Sequence, residues 1–245
     1  MNLLSKNYIK RSFDLAAKTY SSFSELQNEV AKSLINMINE KYFGNVLEIG
    51  VGDGKLASIV NFNYENYVGV DLSPNMANIF KKNHPFKYSI IGDAENLPFR
   101  PNTFDLIISS SVFQWFSNPK ESIPKLFSLL KNKKNICFSA FSKGTFWQMQ
   151  EISKITGFGS VLELKDKYFY ENLGFECKEK RYTIYYKSVK DFLYSHKKSG
   201  ARYTNQTSLC AKSKYFEFCS MYEKLFGSTK KGIEVTYAVV FCKNQ

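Results

Sequence analysis

Histidine is scarce in this chain: 245 residues hold two, His84 and His196, and neither has a partner at the spacing of a metal-ligand pair or a catalytic triad. Chemistry built on an imidazole base or a histidine-bound metal therefore has little support. The five cysteines, Cys137, Cys177, Cys210, Cys219 and Cys242, are odd in number and scattered, without a Cys-x-x-Cys pair. That pattern lacks the zinc and redox signatures and predicts reduced packing residues. No run of about 18 apolar residues occurs, so no membrane-spanning helix and no membrane partner are expected. Residues 1–11 lack the apolar centre of a signal peptide, which predicts a cytoplasmic location. Internal repeats and low-complexity tracts are also missing.

What is present is enough apolar material, 44% of residues, to build a full core for one large domain, or for one domain with a sizeable insertion. The formal charge is +12, and residues 143–245 carry +8 of it. A basic face attracts acidic partners and raises encounter rates. Charge alone leaves open whether the excess marks a nucleic acid, a phosphorylated ligand or an acidic carrier protein, or simply a lysine-rich composition.

Hydrophobic periodicity organises the first 142 residues into alternating elements. Ser22-Phe23-Ser24-Glu25 reads as a capping box, followed by Leu26, Val30, Leu34, Ile35 and Ile38 at helical spacing. Strands are predicted at 45–49, 67–71, 88–91, 104–109 and 135–141. Helices are predicted from Lys55, from Ser73-Pro74 and from Asn118-Pro119. This alternation argues for an α/β, doubly wound parallel sheet whose ligands bind at the carboxyl ends of the strands. After Ser142 the pattern changes to helices at 146–157, 162–173, 189–198 and 209–225, with strands at 177–187 and 233–242.

The first strand runs into Leu47-Glu48-Ile49-Gly50-Val51-Gly52-Asp53-Gly54. Glycines at 50, 52 and 54 let the backbone turn tightly and approach a ligand, while the helix behind them offers free amides. The run Gly52-Asp53-Gly54-Lys55-Leu56-Ala57 also satisfies G-x-G-x-x-A, so this motif alone leaves a dinucleotide and an adenosyl cofactor equally open. Asp71 ends the second strand, where a carboxylate can accept both ribose hydroxyls. Asp93 follows the third strand in Gly92-Asp93-Ala94-Glu95-Asn96-Leu97-Pro98-Phe99, where a carboxylate can take the amino group of adenine and Ala94 can offer its amide. Three successive strand ends bearing these groups resemble the class I S-adenosylmethionine-dependent methyltransferases more than a dehydrogenase.

Three further segments resemble one family, the malonyl-acyl-carrier-protein O-methyltransferases of biotin synthesis. They are Phe13-Asp14-Leu15-Ala16-Ala17-Lys18-Thr19-Tyr20 with Leu26-Gln27, Ser109-Ser110-Ser111-Val112-Phe113-Gln114-Trp115, and Ser199-Gly200-Ala201 with Val235-Thr236-Tyr237. The resemblance implies a Rossmann-like, seven-stranded sheet with N-terminal lid helices over residues 1–40, a cofactor-binding core over 41–142, and an inserted helical substrate lobe with terminal strands over 143–245. Glu48 stands where many relatives have Asp, and Arg202 follows Gly200-Ala201 where the family often has Thr. Residues 144–187 show no specific match.

The resemblance further implies S-adenosylmethionine as cofactor, leaving S-adenosylhomocysteine, with Glu48, Gly50, Gly52, Gly54, Asp71, Leu72, Asp93, Ala94 and Ser109 holding it. It implies that Tyr20, Gln114, Trp115 and Arg202 serve the reaction. Tyr20, Phe113 and Trp115 are expected as walls and lid, and Arg202 or Gln114 as the group that holds the acceptor. The acceptor so implied is the free carboxylate of malonyl-acyl carrier protein, the methyl ester the product, and the acidic carrier protein the partner of the basic lobe. A carboxylate with a pKa of roughly 4 is ionised near neutral pH and needs no general base, which agrees with the scarcity of histidine. Methylation of a small molecule or quinone, RNA methylation, and a cofactor-binding protein without catalysis remain open at this point. The aromatic residues form no stacking motif and no RNA-binding signature is present, so a nucleic-acid partner is not expected.

Overall fold

The computed structural model describes residues 5–158, 163–201, 212–228 and 230–244; within them the side chains of 132–134 are not described. In chain order the elements are α1 (Lys6–Ala16), a 3-10 turn (Tyr20–Phe23), α2 (Glu25–Ile35), β1 (Tyr42–Ile49), α3 (Lys55–Ile59), β2 (Asn63–Asp71), α4 (Pro74–Asn83) and β3 (Tyr88–Ile91). There follow β4 (Phe104–Ser110), a 3-10 turn (Phe113–Trp115), α5 (Pro119–Leu126), β5 (Leu130–Phe141), α6 (Trp147–Thr156) and α7 (Lys167–Glu171). The last are β6 (Phe175–Tyr186), α8 (Val189–Lys198), α9 (Lys212–Phe226), β7 (Gly227–Ser228) and β8 (Gly232–Asn244).

Seven strands form a continuous sheet in the order β3-β2-β1-β4-β5-β8-β6, and the two-residue β7 adds to β8 at one end. The strands β1 to β5 pair in parallel, whereas β8 runs antiparallel between β5 and β6. Side chains of successive strand residues go to opposite faces and both faces are covered, so the central strands read as near-continuous apolar runs. Val46 of β1 and Leu106 and Ile108 of β4 join one core with α2, α3, α6, α8 and α9. Their neighbours Leu47, Ile49 and Ile107 join the second core with Ile123 and Leu126 of α5 and Tyr170 of α7.

Three local expectations are corrected. The capping box does not form: residues 20–23 make a 3-10 turn, α2 starts at Glu25, and the Ser24 N-cap makes no side-chain capping bond. The helix predicted over 162–173 shrinks to Lys167–Glu171, because Asp166 caps it by accepting the Phe169 amide at 3.0 Å, while Lys165 upstream accepts the Lys143 amide. The cysteines are not all reduced. Cys177 in β6 and Cys242 in β8 face each other across the antiparallel register and are disulfide-bonded, 65 residues apart in sequence, a pairing that no local spacing signals. Cys137 and Cys219 are free, and Cys210 lies outside the described residues. Among the described residues no helix is long and apolar enough to cross a membrane.

His196, near the end of α8, sits among the rings of Phe146 and Phe192 and contacts the Ala201 carbonyl at 3.2 Å and the Tyr237 hydroxyl at 3.2 Å. Burial pushes its pKa down from 6.5 to about 4. The unfolded chain then binds a proton between these values that the folded chain refuses, so stability is lost as pH falls below 6.5. Urea unfolding should show about 2 kcal/mol of loss between pH 6.5 and 5 from this group. The loss should disappear in His196→Gln; equal slopes in the two proteins would place the titration elsewhere.

Candidate active site

The strand order reverses between β1 and β4, and ligands of open α/β sheets bind at the carboxyl ends of the strands at such a point. A cleft of about 100 Å³ opens there, lined by the carboxyl ends of β1, β2 and β4. Its floor is the glycine turn after β1. Gly50, with φ of 73°, leaves no room for a side chain, since an added Cβ would stand 2.2 Å from Cγ2 of Val112. The Gly52 amide donates to Asp71 Oδ2 at 2.9 Å, which ties the turn to the end of β2.

Asp71 accepts a second backbone bond, from the Ser73 amide to Oδ1 at 2.8 Å. The carboxylate keeps lone-pair capacity beyond these amides, which a ribose hydroxyl can use. Burial, opposed by these amide bonds, pushes the pKa of Asp71 up to about 6. Leu72, Asp93 and Ala94 line the same cleft. Asp93 Oδ1 accepts the Glu95 amide at 3.0 Å, and its Oδ2 receives the ammonium of Lys6. Glu48 is buried on the opposite face of β1, accepts the Tyr67 hydroxyl at 2.6 Å and is pushed up to about 8 by burial. It lines a smaller recess that shares Tyr20, Gly50 and Gly52 with the cleft. A cationic group placed in that recess would favour its ionised form.

The remaining expected residues divide. Tyr20 and Trp115 line the cleft and Phe13 of α1 links them, with ring centroids 6.4 Å from Tyr20 and 5.7 Å from Trp115. Gly54 lies away from the cleft at the start of α3, where its missing side chain admits the ring of His84. Ser109 is buried and donates to the Ile49 carbonyl at 2.9 Å; Ser110 and Ser111 line the cleft instead. Phe113 packs into the core against Phe116 and Phe138. Gln114 has both ends of its amide on the backbone: Nε2 donates to Ser111 O at 2.6 Å and Oε1 accepts the Phe141 amide at 3.4 Å. Arg202 lies outside the described residues.

The sequence reading missed how α1 closes over this site. Lys6, at its first turn, bridges Asp93 and Glu95, the latter at 2.8 Å. Asp14, in its last turn, accepts from the Ser73 hydroxyl and from the Asn75 amide at the start of α4. Glu95 in turn accepts the Ser117 and Asn118 amides, each at 2.9 Å, and so caps α5 from outside. Gly200 lets α1 pack closely, because a Cβ there would stand 3.0 Å from Ala16 and Phe13. None of these pairings has a local signature, since the partners lie 59 to 187 residues apart or take part through backbone groups.

Comparison with known proteins fits this geometry. A family model described as a methyltransferase domain matches residues 47–138, the stretch from within β1 to within β5. The solved structure of Haemonchus contortus phosphoethanolamine N-methyltransferase 2 in complex with S-adenosyl-L-methionine has the same fold. Its TM-score is 0.58 at 16% identity, covering 100% of this chain and 61% of that one. Among curated proteins, the malonyl-[acyl-carrier protein] O-methyltransferase of Priestia megaterium is 30% identical over 96% of both chains. The protein of that name from Halalkalibacterium halodurans is 27% identical over 97% of both. The fold is that of the class I methyltransferases, and since the likeness in sequence covers 96% of this chain at 30% identity, the chain belongs to the malonyl-[acyl-carrier protein] O-methyltransferase family.

Proposed function

We propose that this protein transfers the methyl group of S-adenosylmethionine to the free carboxylate of malonyl-acyl carrier protein, giving the methyl ester used in biotin synthesis. The observation that carries the reading is the 30% identity over nearly the full length of both chains with a relative of that name. The cofactor, when bound, supplies an electrophilic methyl group on a sulfonium. Asp71 would accept its ribose hydroxyls and Asp93 its adenine amino group, with Ala94 and Leu72 against the base and Gly50 and Gly52 allowing close backbone approach. Glu48, in the adjoining recess, would face the methionine end.

The acceptor needs no proton removed, because its carboxylate is already ionised near pH 7. The task left to the protein is placement of the carboxylate oxygen in line with the methyl carbon, and near-attack positioning is worth roughly 7 kcal/mol or more. Phe13, Tyr20 and Trp115 form an aromatic wall on the acceptor side of the cleft, held down by the Lys6 and Asp14 contacts of α1. The direct test incubates the protein with labelled S-adenosylmethionine and malonyl-acyl carrier protein. A labelled methyl ester is expected, with none from acetyl-acyl carrier protein; equal labelling of both would defeat the reading.

The carrier protein is acidic in this family's biology, and the basic end of α8 adjoins the lid, where Thr19 donates to the Lys198 carbonyl at 2.9 Å and Phe23 packs on Tyr194. Reversing Lys190, Lys197 and Lys198 to glutamate should raise KM for the carrier-bound substrate about tenfold and spare a small malonyl thioester. Equal effects on the two substrates would show that these lysines do not receive the carrier.

A further inference from the structure

Ser111 lies immediately beyond β4, in the wall of the cleft, and its backbone is held in the left-handed region with φ of 61°. Glycine is the ordinary residue for such a position, because a side chain there crowds its own backbone. The conformation is fixed from both sides: the Ser111 amide donates to the Ser139 carbonyl at 2.9 Å, and its carbonyl accepts Gln114 Nε2 at 2.6 Å. Gln114 is itself held by the Phe141 amide. Strain that is over-determined in this way belongs to functional positions more often than to ordinary turns.

The serine adds a hydroxyl where a glycine would suffice, and that hydroxyl is buried without a hydrogen-bond partner among the described residues. Two other side chains there share this condition, Ser153 and Tyr170, but neither lines the cleft. An unpaired buried hydroxyl opposes folding, so a strained residue carrying one in the wall of the site bears two penalties at once. Both are accounted for if a ligand supplies the missing acceptor.

We propose that the Ser111 hydroxyl holds the carboxylate of the acceptor by donating a hydrogen bond to it. This assignment rests on the function proposed above. An anion in this cleft needs a donor. Asp71, Asp93 and Glu95 are acceptors when ionised, the Lys6 ammonium is taken by two carboxylates, and the Gln114 amide is spent on the backbone. Gln114 thereby becomes a positioning residue that fixes Ser111. During transfer the carboxylate oxygen bonds to the methyl carbon as the carbon–sulfur bond breaks, the electron pair goes to sulfur, and Ser111 keeps its proton throughout.

Because the acceptor loses its negative charge on the way to the transition state, the hydrogen bond is stronger to the substrate than to the transition state. Its loss should therefore raise KM without lowering kcat, which stays the same or rises. The test measures kinetics with malonyl-acyl carrier protein, S-adenosylmethionine affinity by calorimetry, and Tm, for the wild type, Ser111→Ala and Ser111→Gly. The expected result is KM raised about tenfold in both variants, with kcat equal to or above wild type and cofactor affinity within about twofold. Tm should rise in Ser111→Ala, since an unpaired buried hydroxyl is removed; a merely structural serine would not combine higher stability with weaker substrate binding. An unchanged KM in either folded variant, cofactor affinity falling in step with KM, or failure of both variants to fold would overturn the assignment while leaving the proposed reaction standing. A wild type that turns over no malonyl-acyl carrier protein would overturn the proposed reaction and this assignment with it.

Discussion

Asp71→Ala is expected to weaken S-adenosylmethionine binding more than about 100-fold, read by calorimetry on protein shown to be folded by its Tm. Two effects combine. Hydrogen bonds to a charged group contribute about 1.5–3 kcal/mol each, and the reading assigns two ribose hydroxyls to this carboxylate. The same oxygens hold the Gly52 and Ser73 amides at 2.9 and 2.8 Å, so their removal also frees the glycine turn that floors the cleft. Asp71→Asn, which keeps one acceptor oxygen and the shape, should fall between the wild type and alanine. Cofactor affinity within threefold of wild type in the alanine variant would place the ribose elsewhere.

Gly50→Ala should cost stability as well as binding, by about 3 kcal/mol or more in urea unfolding. The new methyl group would stand 2.2 Å from Cγ2 and 3.0 Å from Cγ1 of Val112, and overpacking of this kind costs typically 1–3 kcal/mol. The φ of 73° adds roughly 1–2 kcal/mol for any residue with a Cβ. Val112→Ala combined with Gly50→Ala should recover the first part and not the second. A single variant within 1 kcal/mol of wild type would show that the turn can relax, and the tight contact between the ends of β1 and β4 would lose its structural meaning.

Where a residue's position in the fold follows from its place in the chain, the sequence is a good guide. Strand ends carry their chemistry in order, so Gly50, Gly52, Asp71, Asp93 and Ala94 were located by reading from apolar run to turn, and all five line one cleft. The parallel core was legible because its central strands, β1 and β4, are buried on both faces and read as apolar runs. Residues whose side chains travel were less legible. Glu48 and Ile49 are adjacent, yet alternation sends Glu48 to the opposite face of the sheet from the cleft, and Gln114 beside Trp115 turns back onto Ser111 and Phe141. Contacts between distant segments were not legible at all. Lys6 with Glu95, Asp14 with Ser73 and Cys177 with Cys242 exist only because the fold brings α1 against the loop after β3 and the start of α4 and sets β8 between β5 and β6. Ser111 belongs to a third kind: its residue type gives no warning, and only its backbone angle and its unpaired hydroxyl make it stand out.

The proposed reaction requires the cofactor in this cleft, and a crystal structure of this protein with S-adenosylhomocysteine tests that most directly. The expected density has both ribose hydroxyls within hydrogen-bond distance of Asp71, the adenine amino group at Asp93 with the base against Ala94, and the sulfur near Tyr20 and Ser111. A nucleoside bound outside this cleft, or bound in it with the sugar out of reach of Asp71, would contradict the account.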